Sequence, residues 1–300
     1  MTPPRQTDTQ GMAFWETRWK QHLNRSFLRQ TQTRTPEQWQ AFYDRVAGIW
    51  GEMAGMAPAA AAAVVHRLVH DNLIRKDSTV LDIGCGPGSL TMALADHHMQ
   101  VTALDRSREM IRMVKQTLAG PPAPPGTRAI RALTGDWKSL PDMPVHDAAI
   151  AAFFPEACSP DGIRHLETLA TKTCVLIMGD GRETFPLRRQ IWDRVMPAPC
   201  PDSGFHHVCA AGYLSAAGRA PRISRLYIPV TLEVEKASAH AFFHAYFSMF
   251  GIPSRTLDPA IHQALSPWLD RGRVCVQGTA HLVTAGWQPP GAKSQESGPC

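Results

Sequence analysis

The stretch "VLDIGCGPGSLTMALA", residues 80–95, decides the fold: an apolar run breaks into Gly84, Gly86 and Gly88, then resumes at helical spacing. A buried strand that turns through glycines into a helix lets backbone approach a ligand at the edge of an α/β sheet. The alternation continues downstream. "QVTALD" (100–105) reads as a second strand, followed by a helix over Ser107–Leu118 that opens on a Ser cap. "TRAIRAL" (127–133), "HDAAIAAFF" (146–154) and "TCVLIM" (173–178) supply three further strands, with a helix around Ile163–Ala170. Strands alternating with helices predict an α/β fold, a Rossmann-like doubly wound sheet. "GPPAPPG" (120–126) reads as a stiff loop. Beyond Gly179 the pattern predicts a helix over Phe185–Met196 and an irregular "PAPCPDSGFHH" (197–207). "RISRLYIPVTLEV" (222–234) and "RVCVQGTAHLVTAGW" (273–287) then read as a closing pair of strands.

Upstream of the sheet the chain is helical. Trp15, Trp19, Leu23 and Phe27 recur every four residues, and Trp39, Phe42, Tyr43, Val46 and Trp50 form a second apolar stripe behind a Thr35 cap with Pro36 at the first helical position. The alanine-rich segment from Pro58 to Leu73 predicts a third helix. Such stripes are core in most proteins; here they also suit a cap over a cleft. The expected organisation is a helical cap over residues 1–75, a sheet domain over 76–288 with a substrate-side insertion around 197–270, and a flexible tail over 289–300.

Composition narrows the function. The 300 residues carry 31 basic and 26 acidic side chains, for a net charge of +5 without a basic run, which argues only weakly for nucleic acid as the partner. No apolar stretch is long enough to span a bilayer and "MTPPRQTDTQG" has no secretory pattern, so a cytoplasmic location is expected. Seven scattered cysteines, an odd number, predict reduced thiols. Cys200, His206, His207 and Cys209 match no metal-ligand spacing, and no metal is expected.

Two cofactors suit a glycine loop after a strand. A dinucleotide wants G-x-G-x-x-G with its pyrophosphate on the helix N-terminus. Here the spacing is G-x-G-x-G, and Asp82 precedes the first glycine by two. A carboxylate there repels phosphate and attracts a cation, which favours S-adenosylmethionine with its ammonium and sulfonium groups.

Three motifs in order, "VLDIGCGPGSL" (80–90), "VTALDRSREMI" (101–111) and "LTGDWKSLP" (133–141), resemble those of the class I S-adenosylmethionine-dependent methyltransferases, specifically the small-molecule group related to quinone-biosynthesis methyltransferases. The resemblance covers roughly residues 78–180. It implies that Gly84, Cys85, Gly86 and Gly88 shape the loop against the methionine part, with Asp82 near the ammonium. It implies that Asp105 accepts from the ribose hydroxyls, and that Asp136 accepts from the adenine amino group with Trp137 or Arg106 covering the ring. Phe153 would border the transferred methyl.

The segment after the fourth strand, "AAFFPEACSP", lacks the Asn/Asp-Pro-Pro-aromatic motif of enzymes that methylate amide or exocyclic amino nitrogens, which points to a small-molecule acceptor. Glu156 and His207 are the candidate catalytic residues, with His206, His240 and His244 as further candidates. The alternatives are an RNA methyltransferase using the Arg/Trp-rich N-terminal region and a non-catalytic S-adenosylmethionine-binding protein. The oligomeric state is not legible.

Overall fold

The computed structural model describes residues 11–25, 36–53, 56–120, 130–139, 143–200 and 204–292. Its sheet contains β1 (Thr79–Ile83), β2 (Gln100–Asp105), β3 (Ile130–Thr134), β4 (His146–Ala152), β5 (Ala170–Gly179), β6 (Arg222–Glu235), the short β7 (Leu269–Asp270) and β8 (Arg273–Trp287). The spatial order is β3-β2-β1-β4-β5-β8-β6, with β7 pairing β8. The first five strands are parallel, and β8 runs antiparallel to both β5 and β6. The order reverses between β1 and β4, so the crevice above their carboxyl ends is where such a sheet binds ligands.

The helices are α1 (Met12–Arg25), α2 (Pro36–Met53), α3 (Pro58–His70), α4 (Ser89–Asp96), α5 (Arg108–Ala119), α6 (Pro160–Thr168), α7 (Leu187–Val195), α8 (Phe205–Ala216), α9 (Lys236–Ser248) and α10 (Ser254–Leu265). Side chains alternate across the strands. Leu81, Ile83, Leu104 and Leu176 face α1, α6 and α8 through Trp15, Ile163, Leu166 and Leu214. Val80, Val101, Ile150 and Val175 face α3 and α4 through Val64, Leu68, Leu90 and Leu94.

The register of β8 builds the rest. Only Leu282–Trp287 pair with β5, while Arg273–His281 extend past it, paired with β6 and, at Arg273 and Val274, with β7 as well. This overhang carries Leu232, Val234, Val274 and Val276 into a satellite core with α2, α7, α9 and α10.

Several expectations change in detail. Among the described residues of 1–75, α1 packs on α8, α2 joins the satellite core, and α3 covers the opposite sheet face. The expected insertion at 197–270 is likewise divided. α8 begins at Phe205, inside the segment expected to be irregular, and buries Cys209, Ala210, Tyr213 and Leu214 against the sheet, whereas α9 and α10 join the satellite core. The physical reason is apolar periodicity: α8 interleaves its buried residues with small ones, and Gly212 provides the seat for Trp15, whose ring would lie 2.3 Å from an added Cβ. Phe27, the Thr35 cap, most of the 120–126 loop and the end of the 289–300 tail lie outside the described residues.

Candidate cofactor and acceptor cavities

The carboxyl ends of β1 to β4 open into a cavity of about 770 Å³. After β1 the chain turns through Gly84, Gly86 and Gly88 at φ of +68°, +55° and +95°, the left-handed region that excludes most side chains. Added Cβ atoms at Gly84 and Gly88 would meet Phe154 and Val114 at 3.0 Å, so the loop is close-packed as well as sharply turned. Gly84 and Cys85 donate their N–H groups to the Leu104 carbonyl, at 2.8 and 3.1 Å. Gly86 N–H donates to Asp105 Oδ2 at 2.9 Å, and Ser107 N–H to Asp105 Oδ1 at 2.8 Å. One carboxylate therefore ties the glycine loop to the end of β2.

Asp82 lines the same cavity and is buried, its Oδ2 accepting from Thr91 Oγ1 at 2.6 Å. Burial pushes its carboxyl up to about 7, opposed by the Thr91 hydrogen bond and assisted by the negative Asp105. Burial also lifts Asp105 above the usual carboxylate range against its two N–H bonds, with Asp44 of α2 adding to the effect. Burial with the fields of Asp82 and Asp105 raises the Cys85 thiol, which stays protonated. Two buried carboxylates beside a bare glycine loop call for a cationic ligand, and a pyrophosphate would be repelled.

Asp136, after β3, accepts the Lys138 N–H at 2.9 Å and pairs with Arg106, which follows the neighbouring β2. Partial burial pulls its carboxyl up, but Lys138 N–H and the Arg106 guanidinium outweigh this and hold it below the usual range. Trp137 is buried on the wall, packed edge-on to Phe154 and His165, and its Nε1 has no hydrogen-bond partner among the described residues. Phe153 closes β4 at φ +50°, a strained conformation for an aromatic residue, and is 49% exposed. Its N–H is held by the Ile177 carbonyl at 2.8 Å. α1 and α2 cover the opening with Trp19, Leu23, Trp39, Tyr43 and Trp50, and Ser107 Oγ donates to Asp44 to anchor α2 on the start of α5.

A second cavity of about 430 Å³ adjoins the first. Trp50, Phe153, Phe154, Pro155 and His206 line both. The far walls are Phe242, Phe243 and Tyr246 of α9, with Glu183, Thr184 and Arg188 from the segment after β5.

The ten residues expected around the cofactor fall on or beside one cavity: Asp82, Gly84, Cys85, Gly86, Asp105, Arg106, Asp136, Trp137 and Phe153 line it, and Gly88 closes the turn below. Glu156 also lines it, with its carboxylate taken by Lys138 Nζ at 2.6 Å. His207 lines neither of these two cavities, whereas its neighbour His206 lines both. Neighbours on a helix project about 100° apart, and α8 turns His206 toward Trp19 at 5.5 Å. His240 and His244 face Asp258 and Ser254 of α10. No group of three or more His, Cys, Asp or Glu that could hold a metal occurs among the described residues, and Cys200 and Cys209 sit in different cores. The sequence reading did not single out Glu183, Arg188 or Tyr246, which line the second cavity. The signal was the run "GDGRETFPLRR" (179–189) at the carboxyl end of a central strand.

Residues 80–170 match a family described as methyltransferase domain. Over 129 residues the chain is 30% identical to the ribosomal RNA small subunit methyltransferase A of Myxococcus xanthus (strain DK1622), a match spanning 42% of this chain and 40% of that relative. Among solved structures it is similar to the magnesium protoporphyrin IX methyltransferase of Synechocystis PCC 6803 with bound SAH, at 16% identity and TM-score 0.46 over 91% of this chain and 99% of that one. It is also similar to the YcgJ protein of Bacillus subtilis, at 15% identity and TM-score 0.44 over 77% and 99%. No helix among the described residues is long and apolar enough to cross a membrane.

Proposed function

We propose that this chain transfers the methyl group of S-adenosylmethionine to a small-molecule acceptor. One observation carries the reading: two cavities meet at Phe153, Phe154 and Pro155, the first suited to a cationic nucleoside and the second to a compact, mainly apolar molecule. In the first cavity Asp82 faces the ammonium and Asp105 the ribose hydroxyls. Asp136 accepts from the adenine amino group, and Trp137 forms a wall for the ring. Arg106 serves through Asp136, which it holds ionised, rather than as a cover for the ring. When bound, the cofactor supplies an electrophilic methyl on its sulfonium. The chain's part is to hold the acceptor in line at Phe153 and to exclude water with α1, α2 and the aromatic wall of α9.

Native mass spectrometry with S-adenosylhomocysteine tests the cofactor half: one nucleoside per chain is expected, and a bound dinucleotide or no binding would overturn it. The ribosomal RNA relative favours a second reading, in which the acceptor is RNA. Against it stand the α1 and α2 cover and the missing Asn/Asp-Pro-Pro-aromatic motif at 153–156. RNA binding that weakens steeply with salt would favour RNA; its absence would favour the small acceptor.

A further inference from the structure

The second cavity is apolar over most of its wall and charged at one end. Trp50, Leu232, Phe242 and Phe243 supply apolar surface, while Arg182, Glu183 and Arg188 bring two cations and one anion to the end beyond β5. Glu183 Oε1 pairs with Arg188 Nη2 at 2.5 Å, and its Oε2 lies 3.9 Å from Arg189 Nε, so one carboxylate faces two guanidinium groups. Arg182 has a neighbour of its own in Asp180, but its Nε is 3.9 Å from Oδ2 and its side chain is 70% exposed, which makes the pair a loose one. Three arginines against two carboxylates leave this end with a net charge of +1 among the described residues. The Tyr246 hydroxyl and the Cys200 thiol add no negative charge: burial pushes the first up to about 12 and raises the second. A net positive charge beside apolar walls is poorly solvated, and an anion carried in by a ligand compensates it. The attraction grows as water is excluded, and a guanidinium matches a carboxylate in shape. The position of these charges also orients the ligand. Phe153, Phe154 and Pro155 are shared with the cofactor cavity, whereas Arg182 and Arg188 line the second cavity alone.

We infer that the acceptor is a small carboxylic acid bound as its anion: Arg182 and Arg188 hold the carboxylate as a handle, Glu183 keeps the Arg188 guanidinium in place, and the apolar body of the acid reaches toward Phe153. This rests on the methyltransferase reading, and deepens it by naming the acceptor class. The carboxylate is the anchor and not the group methylated, since it lies at the end of the cavity away from the wall shared with the cofactor. A cationic acceptor is disfavoured, because it would add to the positive charge of the arginines.

The test is ligand-detected NMR binding of phenylacetate, phenylacetamide and phenethylamine to the full chain saturated with S-adenosylhomocysteine. The three share an apolar body and differ in the charge of the handle. Phenylacetate should bind at least about tenfold more tightly than the amide, about 1.4 kcal/mol, and the amine more weakly than either. Arg182→Gln should weaken phenylacetate about three- to fivefold and leave the amide unchanged. Glu183→Gln, which removes a negative charge and keeps the shape, should tighten phenylacetate and again leave the amide unchanged, a gain that a merely structural Glu183 would not produce. S-adenosylhomocysteine should bind equally to all three proteins. Equal binding of acid and amide, a preference for the amine, phenylacetate affinity that responds to neither substitution, or no saturable binding of any probe would overturn the assignment while leaving the cofactor reading intact. Failure of S-adenosylhomocysteine itself to bind would instead overturn the methyltransferase reading.

Discussion

Replacing Asp82 by Asn removes one charge while keeping the side chain's shape, and its consequences follow from where that charge sits. In the empty protein burial, with Asp105 adding to it, raises Asp82 from 3.8 to about 7 against the Thr91 hydrogen bond. That difference makes ionising Asp82 about 4 kcal/mol harder in the folded than in the unfolded chain. The sign is fixed by linkage. A carboxyl whose folded value is raised contributes stability in full below its unfolded value, and the contribution is lost as pH rises through about 7. The empty wild type should therefore lose up to about 4 kcal/mol from this group between about pH 4 and 8. Asp82→Asn should flatten that slope and be the more stable of the two near pH 8, less whatever the Thr91 contact loses. A cofactor ammonium reverses the preference by favouring the ionised form, so S-adenosylhomocysteine should release close to one proton on binding to the wild type near about pH 6 and much less on binding to the variant. Urea unfolding across that pH range gives the slopes, and titration calorimetry in buffers of different ionisation enthalpy gives the protons. Parallel stability profiles, or equal proton release, would refute the placement of Asp82 beside the cation.

Asp105→Ala should weaken S-adenosylhomocysteine by about 1.5–3 kcal/mol, since charge-assisted bonds to the ribose are lost and the Gly86 and Ser107 N–H groups lose their acceptor; unchanged affinity by calorimetry would reject the ribose role. His207→Ala should leave ligand binding within about twofold of wild type, whereas His206→Ala, cutting into the wall shared by both cavities, should weaken binding of S-adenosylhomocysteine or of phenylacetate. The reverse pattern would restore His207 as the functional histidine. Gly212→Ala should cost about 1–3 kcal/mol in urea unfolding, because the new Cβ collides with the body of the Trp15 ring and separates α1 from α8; an unchanged midpoint would show that α1 does not depend on that seat.

Much of this was written locally in the chain. The glycine loop, the acidic residues at or just beyond the carboxyl ends of β1, β2 and β3, and the Ser107 cap depend on neighbours within a few residues: a strand's last residues, a left-handed turn, a helix's first orphan N–H groups. The parallel sheet also made the gathering of Asp82, Asp105 and Asp136 at one edge predictable, because right-handed crossovers bring successive strands back pointing the same way.

What only the tertiary structure decided lies where partners are distant in sequence. His206 and His207 look alike in the chain, and the rotation of α8, set by Trp15 against Gly212 and by Tyr213 and Leu214 in the core, selects one of them. Glu183 carries no motif; the fold places it on the wall of the second cavity with Leu232 of β6 and Phe242, Phe243 and Tyr246 of α9, and pairs it with Arg188. The sequence alone thus determined the fold class and the acidic edge of the cofactor cavity, since both arise from local geometry repeated along the chain. The second cavity required the packed molecule, because its walls come from α2, α9 and the segment after β5, brought together only by burial of their apolar faces.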